Sequence, residues 1–346
     1  MPIDKHYLSY LTFKNIESDL ADNEEIDTST VLIDSKLNTF NFYKTIISSA
    51  DTAEEKLLTT KSEINENFDL SNNTLKILKN NAYIEMNNTL DMELNTDFSL
   101  SFYYKILNKS QLYSDCFFDS SISKSTIIPG ISWISSYYNT PRQNYIILFG
   151  DKNKEKINTE EFYNSKGILY YPYYLDTPKQ NHIEKLPYFA NYDYESYKEN
   201  TWIHILFTQS NLQIRSDGKF NITHTIFING KKCGEYNSGP ISAYPITNFI
   251  NIKIGNWYSS TLLKYHSKPI TNTNETIQDL NIEIEYDKFC LINKCLTPED
   301  FTRDISLNKY LLERNDTYDL SASINKSIMD FSTNKQEIIN TKLYGR

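Results

Sequence analysis

Glu283, Glu285 and Asp287 stand at i, i+2 and i+4, which on a strand turns all three carboxylates to one face. Hydrolysis of a glycosidic bond with retention needs two carboxyls about 5 to 5.5 Å apart, and alternate strand positions approach that spacing. The set lies at the C-terminal edge of the strand-rich region, Glu283 follows a polar stretch, and a non-catalytic role is the reading adopted. Nucleophilic catalysis has less to work with. His6, His182, His204, His224 and His266 accompany neither a G-x-S-x-G turn nor a Cys-His signature, and His204 reads as a buried strand histidine. Neither G-x-x-x-x-G-K-[ST] nor G-x-G-x-x-G occurs, so nucleotide chemistry has no phosphate cradle. Calcium would require an oxygen-rich loop such as D-x-D-x-[DN]-G, which is absent; Asp176 and Asp193 are the acids that could ligate it, and solvated loop acids is the reading preferred. No cofactor and no catalytic residue is expected.

Aromatic rings beside amides and carboxylates are a different kind of chemistry. Sugars offer C–H faces to rings and hydroxyls to polar groups. Tyr170, Tyr171, Tyr173 and Tyr174 around Pro172 have that composition, as do Tyr192, Asp193 and Tyr194, and again Asn256, Trp257 and Tyr258. The same residue types make protein–protein contacts, so these ten are contact candidates for either a sugar or a sibling subunit. Pro172, Pro178 and Pro187 and the lack of alternation lead us to expect contact loops there rather than a regular ladder.

The elements that would position such residues are strands. Tyr, Phe and Trp number 27, 18 and 3 among 346 residues, which suits β structure and excludes a disordered chain. Nine glycines and ten prolines fall well below the usual ~7% and ~5%, excluding collagen-like and linker-like classes. A net charge of −9 offers no general attraction to nucleic acid or anionic lipid. No apolar run reaches the ~18 residues of a membrane span, and residues 1–6 lack the basic segment of a standard secretion signal. Cys116, Cys233, Cys290 and Cys295 form no C-x-x-C clip and are expected to be reduced core thiols.

Period-2 patterning is clear at Leu75, Ile77, Ala82, Ile84 and Met86, and at Phe98, Leu100, Phe102 and Tyr104. Further strands are expected over Asn144–Phe149, Thr201–Thr208, Thr223–Asn229, Ile250–Ile254 and Ile282–Ile292, with Asn229-Gly230 as a tight hairpin turn. Trp202 and Phe102 are expected to fill the space between two sheets. Residues 48–64 carry Ala53, Leu57, Leu58 and Ile64 at near-helical spacing and read as a surface helix or an excursion. Thr297-Pro298-Glu299-Asp300 is a helix start, with a capping residue, a proline in the first position and acids in the first turn.

Five landmarks in order resemble the concanavalin-A-like or laminin-G-like jelly roll: Asp97–Lys105 (DFSLSFYYK), Thr201–Ile205 (TWIHI), Thr225–Lys231 (TIFINGK), Ile252–Asn256 (IKIGN) and Asp287–Phe301. They also resemble the jelly-roll half of clostridial neurotoxin binding regions. The resemblance implies an all-β, two-sheet antiparallel sandwich over residues 70–305 with a Tyr-rich insertion at about 151–200. A short C-terminal helix would follow. Residues 1–69 would be an N-terminal extension contributing an edge strand, and 306–346 a C-terminal extension. The function expected is a non-catalytic structural or binding module of a large assembly such as a phage virion, tail or injection device, recognising surface glycans. The alternatives are a carbohydrate-binding adhesin or toxin-like receptor-binding domain and, behind both, a jelly-roll glycosidase. Its partners would be other protein subunits or a cell-surface glycan, with no nucleic acid and no membrane insertion. It would act in a virion or extracellular assembly after synthesis in the cytoplasm without a signal peptide.

Overall fold

In a computed structural model of the chain, the described residues are 7–11, 13, 32–33, 38–49, 52–79, 81–86, 90–91, 97–107, 128–137, 140–151, 166–174, 188–191, 200–214, 216–218, 220–237, 248–255, 283–298 and 300. The first half runs β1 (Tyr7–Leu11), β2 (Leu32–Ile33), β3 (Thr39–Ser49), β4 (Thr52–Leu57), α1 (Lys61–Asn67), β5 (Phe68–Asp69), β6 (Leu75–Ile77), β7 (Ala82–Met86), β8 (Leu90–Asp91) and β9 (Phe98–Ile106). The second half adds β10 (Ile128–Tyr137), β11 (Thr140–Asp151), β12 (Lys166–Tyr174), β13 (Tyr188–Asn191), β14 (Ile203–Ile214), β15 (Phe220–Ile228), β16 (Lys231–Asn237), β17 (Asn248–Gly255) and β18 (Ile284–Ile292).

These strands form the antiparallel two-sheet sandwich that the resemblance implies. An eight-stranded sheet has the order β16-β15-β14-β9-β18-β6-β5, with β1 also on β18. A ten-stranded sheet has the order β13-β12-β11-β10-β17-β7-β3-β2, with β4 on β3 and β8 on β17. The main core lies between them. Phe98, Leu100, Phe102, Tyr104 and Ile106 of β9 face Phe40, Phe42, Ile84, Ile131, Ile146, Ile252 and Ile254 of the ten-stranded sheet in one buried cluster. Phe42 and Phe68 bridge the sheets edge-to-face with ring centroids 4.8 Å apart. Asn229 and Gly230 take the left-handed φ values of 48° and 79° that a two-residue hairpin needs. Asn229 also accepts a hydrogen bond at Oδ1 from the His204 N–H at 2.8 Å, tying the β15–β16 turn to the start of β14.

Several expectations are corrected. Residues 48–64 are no single helix: β3 and β4 form a hairpin with Tyr43 opposite Leu57 and Thr45 opposite Glu55, and only α1 is helical. Its start is set by Thr60, whose side chain accepts from Glu63 N–H at 3.2 Å, an N-cap that the near-helical apolar spacing had hidden. Residues before 70 supply five strands to the two sheets rather than one edge strand. The tract Tyr170–Tyr174 is not a loop. It lies in β12, ladder-paired to β11 with Pro172 opposite Asn144; residues 188–191 form β13 on its other side, where their ladder spans Gly167–Tyr170 and stops short of the proline. Pro172 thus sits beyond that partner, a position a proline tolerates.

Trp202 is buried but not between the sheets. Ile203, Ile205 and Phe207 belong to the main core, so alternation sends Trp202, His204 and Leu206 to the opposite face. There Trp202 joins Tyr103, Leu206, Cys290, Ile292 and Leu296 in a second buried cluster on the outer face of the eight-stranded sheet. This is why β9 buries both of its faces rather than one. Cys290 belongs to that cluster, Cys233 and Cys295 are half-buried thiols, and Cys116 lies outside the described residues. At Thr297 the backbone N–H donates to Asp300 Oδ2 at 2.8 Å, the reciprocal half of a capping arrangement, and residues 298 and 300 are helical; the rest of that expected helix lies outside the described residues. No helix among the described residues is long and apolar enough to cross a membrane.

Candidate functional site

The carboxylate ladder of β18 is built as one face. Ile284 and Tyr286 point into the core, which leaves Glu285 and Asp287 on the outer side with Glu283 just before the strand. Glu285 takes a hydrogen bond from Thr74 Oγ1 at 2.5 Å and an ion pair from Lys105 Nζ at 2.6 Å. Glu283 pairs with Lys76 at 2.9 Å. Lys105 Nζ in turn lies 4.6 Å from the centre of the Trp202 ring. Each glutamate is therefore the counter-ion of a lysine. Asp287 is 3% exposed and sits beside a bulge, where the pairing with β9 skips between Asp287 and Cys290 and Lys288 takes φ 50°.

His204, two residues on from Trp202, shares this face. Its Nε2 is 2.7 Å from Ser101 Oγ, and its ring lies 4.7 Å from that of Tyr103. The Ser–His pair has the atoms of a nucleophilic dyad, but Ser101 and His204 are 0% and 2% exposed, leaving no approach for a substrate. Burial pushes the imidazole pKa down to about 3, so the ring is neutral at ordinary pH.

The ten-stranded sheet carries a different constellation on its outer face. Phe40 and Phe42, Ile84 and Met86, and Ile252 and Ile254 point inward, so Asn41, Tyr43, Tyr83, Glu85 and Lys253 stand on the other side. Register aligns Asn41 with Glu85, Glu85 with Lys253 and Lys253 with Ser132, a polar row across four neighbouring strands. Lys253 Nζ is 3.5 Å from Glu85, is ion-paired with Glu55 of β4 and sits 4.9 Å from the centre of the Tyr83 ring. Tyr83 stacks on Tyr43, with centroids 5.5 Å apart and planes 10° from parallel. Desolvation, outweighing the pull of Lys253 and reinforced by Glu55, raises the Glu85 pKa. Burial first, then Glu85, raises that of the half-buried Tyr43 hydroxyl. Burial, with Glu55 and Glu85 adding to it, raises that of Tyr83 further.

The backbone register carries this row on to part of the sequence-predicted site. Ser132 is opposite Tyr145, and Tyr145 is opposite Tyr171. Tyr171 and Tyr173 therefore belong to the row's face of the sheet, while Tyr170, opposite the inward-facing Ile146, and Tyr174 belong to the other. Tyr192, Asp193, Tyr194, Asn256, Trp257, Tyr258 and Asp176 lie outside the described residues. Among the described residues no cluster of three or more His, Cys, Asp or Glu side chains is arranged to hold a metal ion.

Sequence reasoning missed Tyr43, Glu55, Tyr83, Glu85 and Lys253. The signal was present in the residues interleaved with apolar ones, as in Ala82-Tyr83-Ile84-Glu85-Met86 and Ile252-Lys253-Ile254. The alternation was read for its inward half only.

No family model matches the chain, and no curated protein sequence matches it. Among solved structures, the chain is similar to the receptor binding domain of botulinum neurotoxin C/D mosaic serotype, at 12% identity and a TM-score of 0.41, covering 89% of this chain and 52% of that one. It is similar also to the binding domain of Paraclostridial Mosquitocidal Protein 1, at 12% identity and a TM-score of 0.38, covering 89% and 53%. A third is the botulinum neurotoxin serotype D ligand binding domain in complex with N-acetylneuraminic acid, at 13% identity and a TM-score of 0.38, covering 90% and 53%. The chain spans about half the length of each. The two-sheet assignment stands on the strand pairing above and not on these likenesses.

Proposed function

We propose that this chain is a non-catalytic binding module, a jelly-roll sandwich whose contact surface is the outer face of the ten-stranded sheet and whose ligand is a surface glycan. The observation that carries the reading is the polar row beside the stacked Tyr43–Tyr83 pair. At its accessible rim the half-buried Tyr43 ring and the exposed Glu55 carboxylate, paired to Lys253, offer kinds of group that saccharide recognition uses. Two findings support a binding role over hydrolysis. The β18 glutamates are engaged by Lys105, Thr74 and Lys76, and on the other sheet Lys253 stands between Glu55 and Glu85. In this reading the module is displayed on a larger extracellular assembly or particle, with sibling subunits as its other partners.

Purified protein tested on a glycan array, and in parallel for release of reducing sugar from the glycans it retains, checks the proposal. Retention without turnover is the expected result. Turnover would make the chain a glycosidase, and absence of retention from every glycan would remove the glycan reading.

A further inference from the structure

We propose that Glu85, Lys253 and Glu55 form a proton-operated tie between the centre of the ten-stranded sheet and its edge hairpin, holding β4 in mild acid and loosening it as the medium becomes neutral. The basis is a mismatch of charge under cover. Lys253 of β17 stands between Glu85 of β7, 3.5 Å away, and Glu55 of β4, with which it is ion-paired. One ammonium thus serves two carboxylates. The Glu85 and Lys253 side chains are each 12% exposed, whereas that of Glu55 is 50% exposed. The groups around Glu85 are Asn41 and Tyr43 from β3, Glu55 from β4, Lys253 from β17 and Tyr83 from its own strand, and among these described residues Lys253 is the cation. A net negative trio in a desolvated setting leaves an excess carboxylate that a proton neutralises. Solvent screens Glu55, so the proton goes to Glu85.

The arm on which this acts is β4. Its ladder is to β3, and among the described residues it pairs with no other strand. Lys253 reaches it from across β7 and β3, its Nζ passing 4.9 Å from the centre of the Tyr83 ring. Lys56 of β4 makes a second tie, to Glu63 of α1 at 2.6 Å. That tie stays ionised through mild acid, because the hydrogen bond from Lys56 holds the Glu63 pKa below its usual value. The change in mild acid therefore falls on the trio.

Linkage fixes the direction. Desolvation raises the Glu85 pKa, Lys253 pulls against it, and Glu55 adds to the rise. When β4 detaches, the contribution of Glu55 is lost, so Glu85 holds its proton more tightly while β4 is docked. Such a group favours the docked arrangement below its value in the open one, and that advantage disappears as pH rises through its value in the docked one. Proton uptake at Glu85 leaves Lys253 to Glu55 alone and removes the repulsion between the two carboxylates.

Hydrogen exchange of the full chain, normalised for intrinsic rates and read in β4, tests the tie at about pH 7.5 and about pH 5, both above the free glutamate value of about 4.3. The proteins are wild type, Glu85→Gln, Glu55→Gln and, as control on the edge strand β16, Glu235→Gln. In wild type and control the opening of β4 should fall at least about twofold on acidification, the low end for charges in one salt-bridge network. Glu85→Gln, neutral at every pH, should be protected already at the higher pH and gain nothing further, and Glu55→Gln should lose the dependence as well. Should Glu85→Gln fold poorly, a carboxyl-carbon NMR titration of Glu85 replaces it: the midpoint should lie above that of free glutamate in wild type and fall in Glu55→Gln. Exchange in β4 that is flat with pH in wild type, a dependence that survives Glu85→Gln, or a Glu85 midpoint unmoved by Glu55→Gln overturns the proposal. None of these readouts involves a ligand, so the tie stands or falls apart from the glycan reading.

Discussion

Trp202→Ala tests the two-sided burial of the eight-stranded sheet. The indole is 5% exposed, packs in the cluster with Tyr103, Leu206, Cys290, Ile292 and Leu296, and lies 4.6 Å beneath the Lys105 ammonium. Truncating a buried Trp to Ala costs about 3 to 5 kcal/mol through lost transfer energy and the cavity left behind, with the cation–π contact contributing about 0.5 to 1 kcal/mol of it. An unfolding entropy of about 2.1 cal/mol/K per residue over 346 residues amounts to ~0.7 kcal/mol/K, so Tm should fall by roughly 4 to 7 °C.

A fall in Tm alone would not say which face the ring occupies, so the assay is a pair of double-mutant cycles read by thermal or urea unfolding. Lys105→Met should couple to Trp202→Ala by about 0.5 to 1 kcal/mol, because they share one contact. Phe102→Leu, on the opposite face of the same sheet, should add to Trp202→Ala without coupling. Coupling to Phe102 and additivity with Lys105 would place Trp202 between the sheets and refute the parity argument. An unchanged Tm would refute its burial.

Three further outcomes follow from the geometry. His204, whose pKa is held near 3 in the folded protein against a free value of about 6.5, binds its proton only on unfolding over that interval; stability is therefore fully present above pH ~6.5 and falls by up to ~1.4 kcal/mol per unit as pH drops towards 3. Glu63 and Asp69, whose pKa values are lowered, also lose stability in acid, so His204→Gln should flatten the slope between pH 6.5 and 5, above the carboxylate range, and an unaltered slope there would count against the burial argument. Glu285→Gln should cost about 1 to 3 kcal/mol in urea melts, because it strips Lys105 of its counter-ion; any glycan retention should be undiminished, and loss of retention at unchanged stability would move the site to β18. Gly255→Ala should destabilise by about 2 kcal/mol or more, since φ is +119° and an added methyl would meet the Ile77 side chain and lie 3.1 Å from the Ala82 carbonyl oxygen; a melting temperature equal to that of the parent would show that the β7–β17 approach is looser than the geometry here.

The inward half of the sandwich was legible because alternation is a local property: Phe98, Leu100, Phe102 and Tyr104 announce their own side of β9 without reference to any other strand. The outward half was not, because its chemistry is made by pairs that the chain brings together from afar. Lys253 meets Glu55 across 198 positions, and Thr74 meets Glu285 across 211. Read singly, each is a polar residue on a strand. Two cues also misled in instructive ways. Proline at 172 argued against a ladder, yet the partner strand β13 ends before reaching it, so the objection applied only to a strand paired along its whole length on both sides. Trp202 has the size of a residue between the sheets, but opposite parity to Ile203 and Ile205 sends it to the outer face. Size predicts burial, and parity decides the face. In β18 even parity fails locally, for the bulge at Lys288 moves the inward set from Ile284 and Tyr286 to Phe289 and Leu291. A contact surface on such a fold therefore has to be read from register, strand by strand, and the row through Asn41, Glu85, Lys253 and Ser132 exists only at that level.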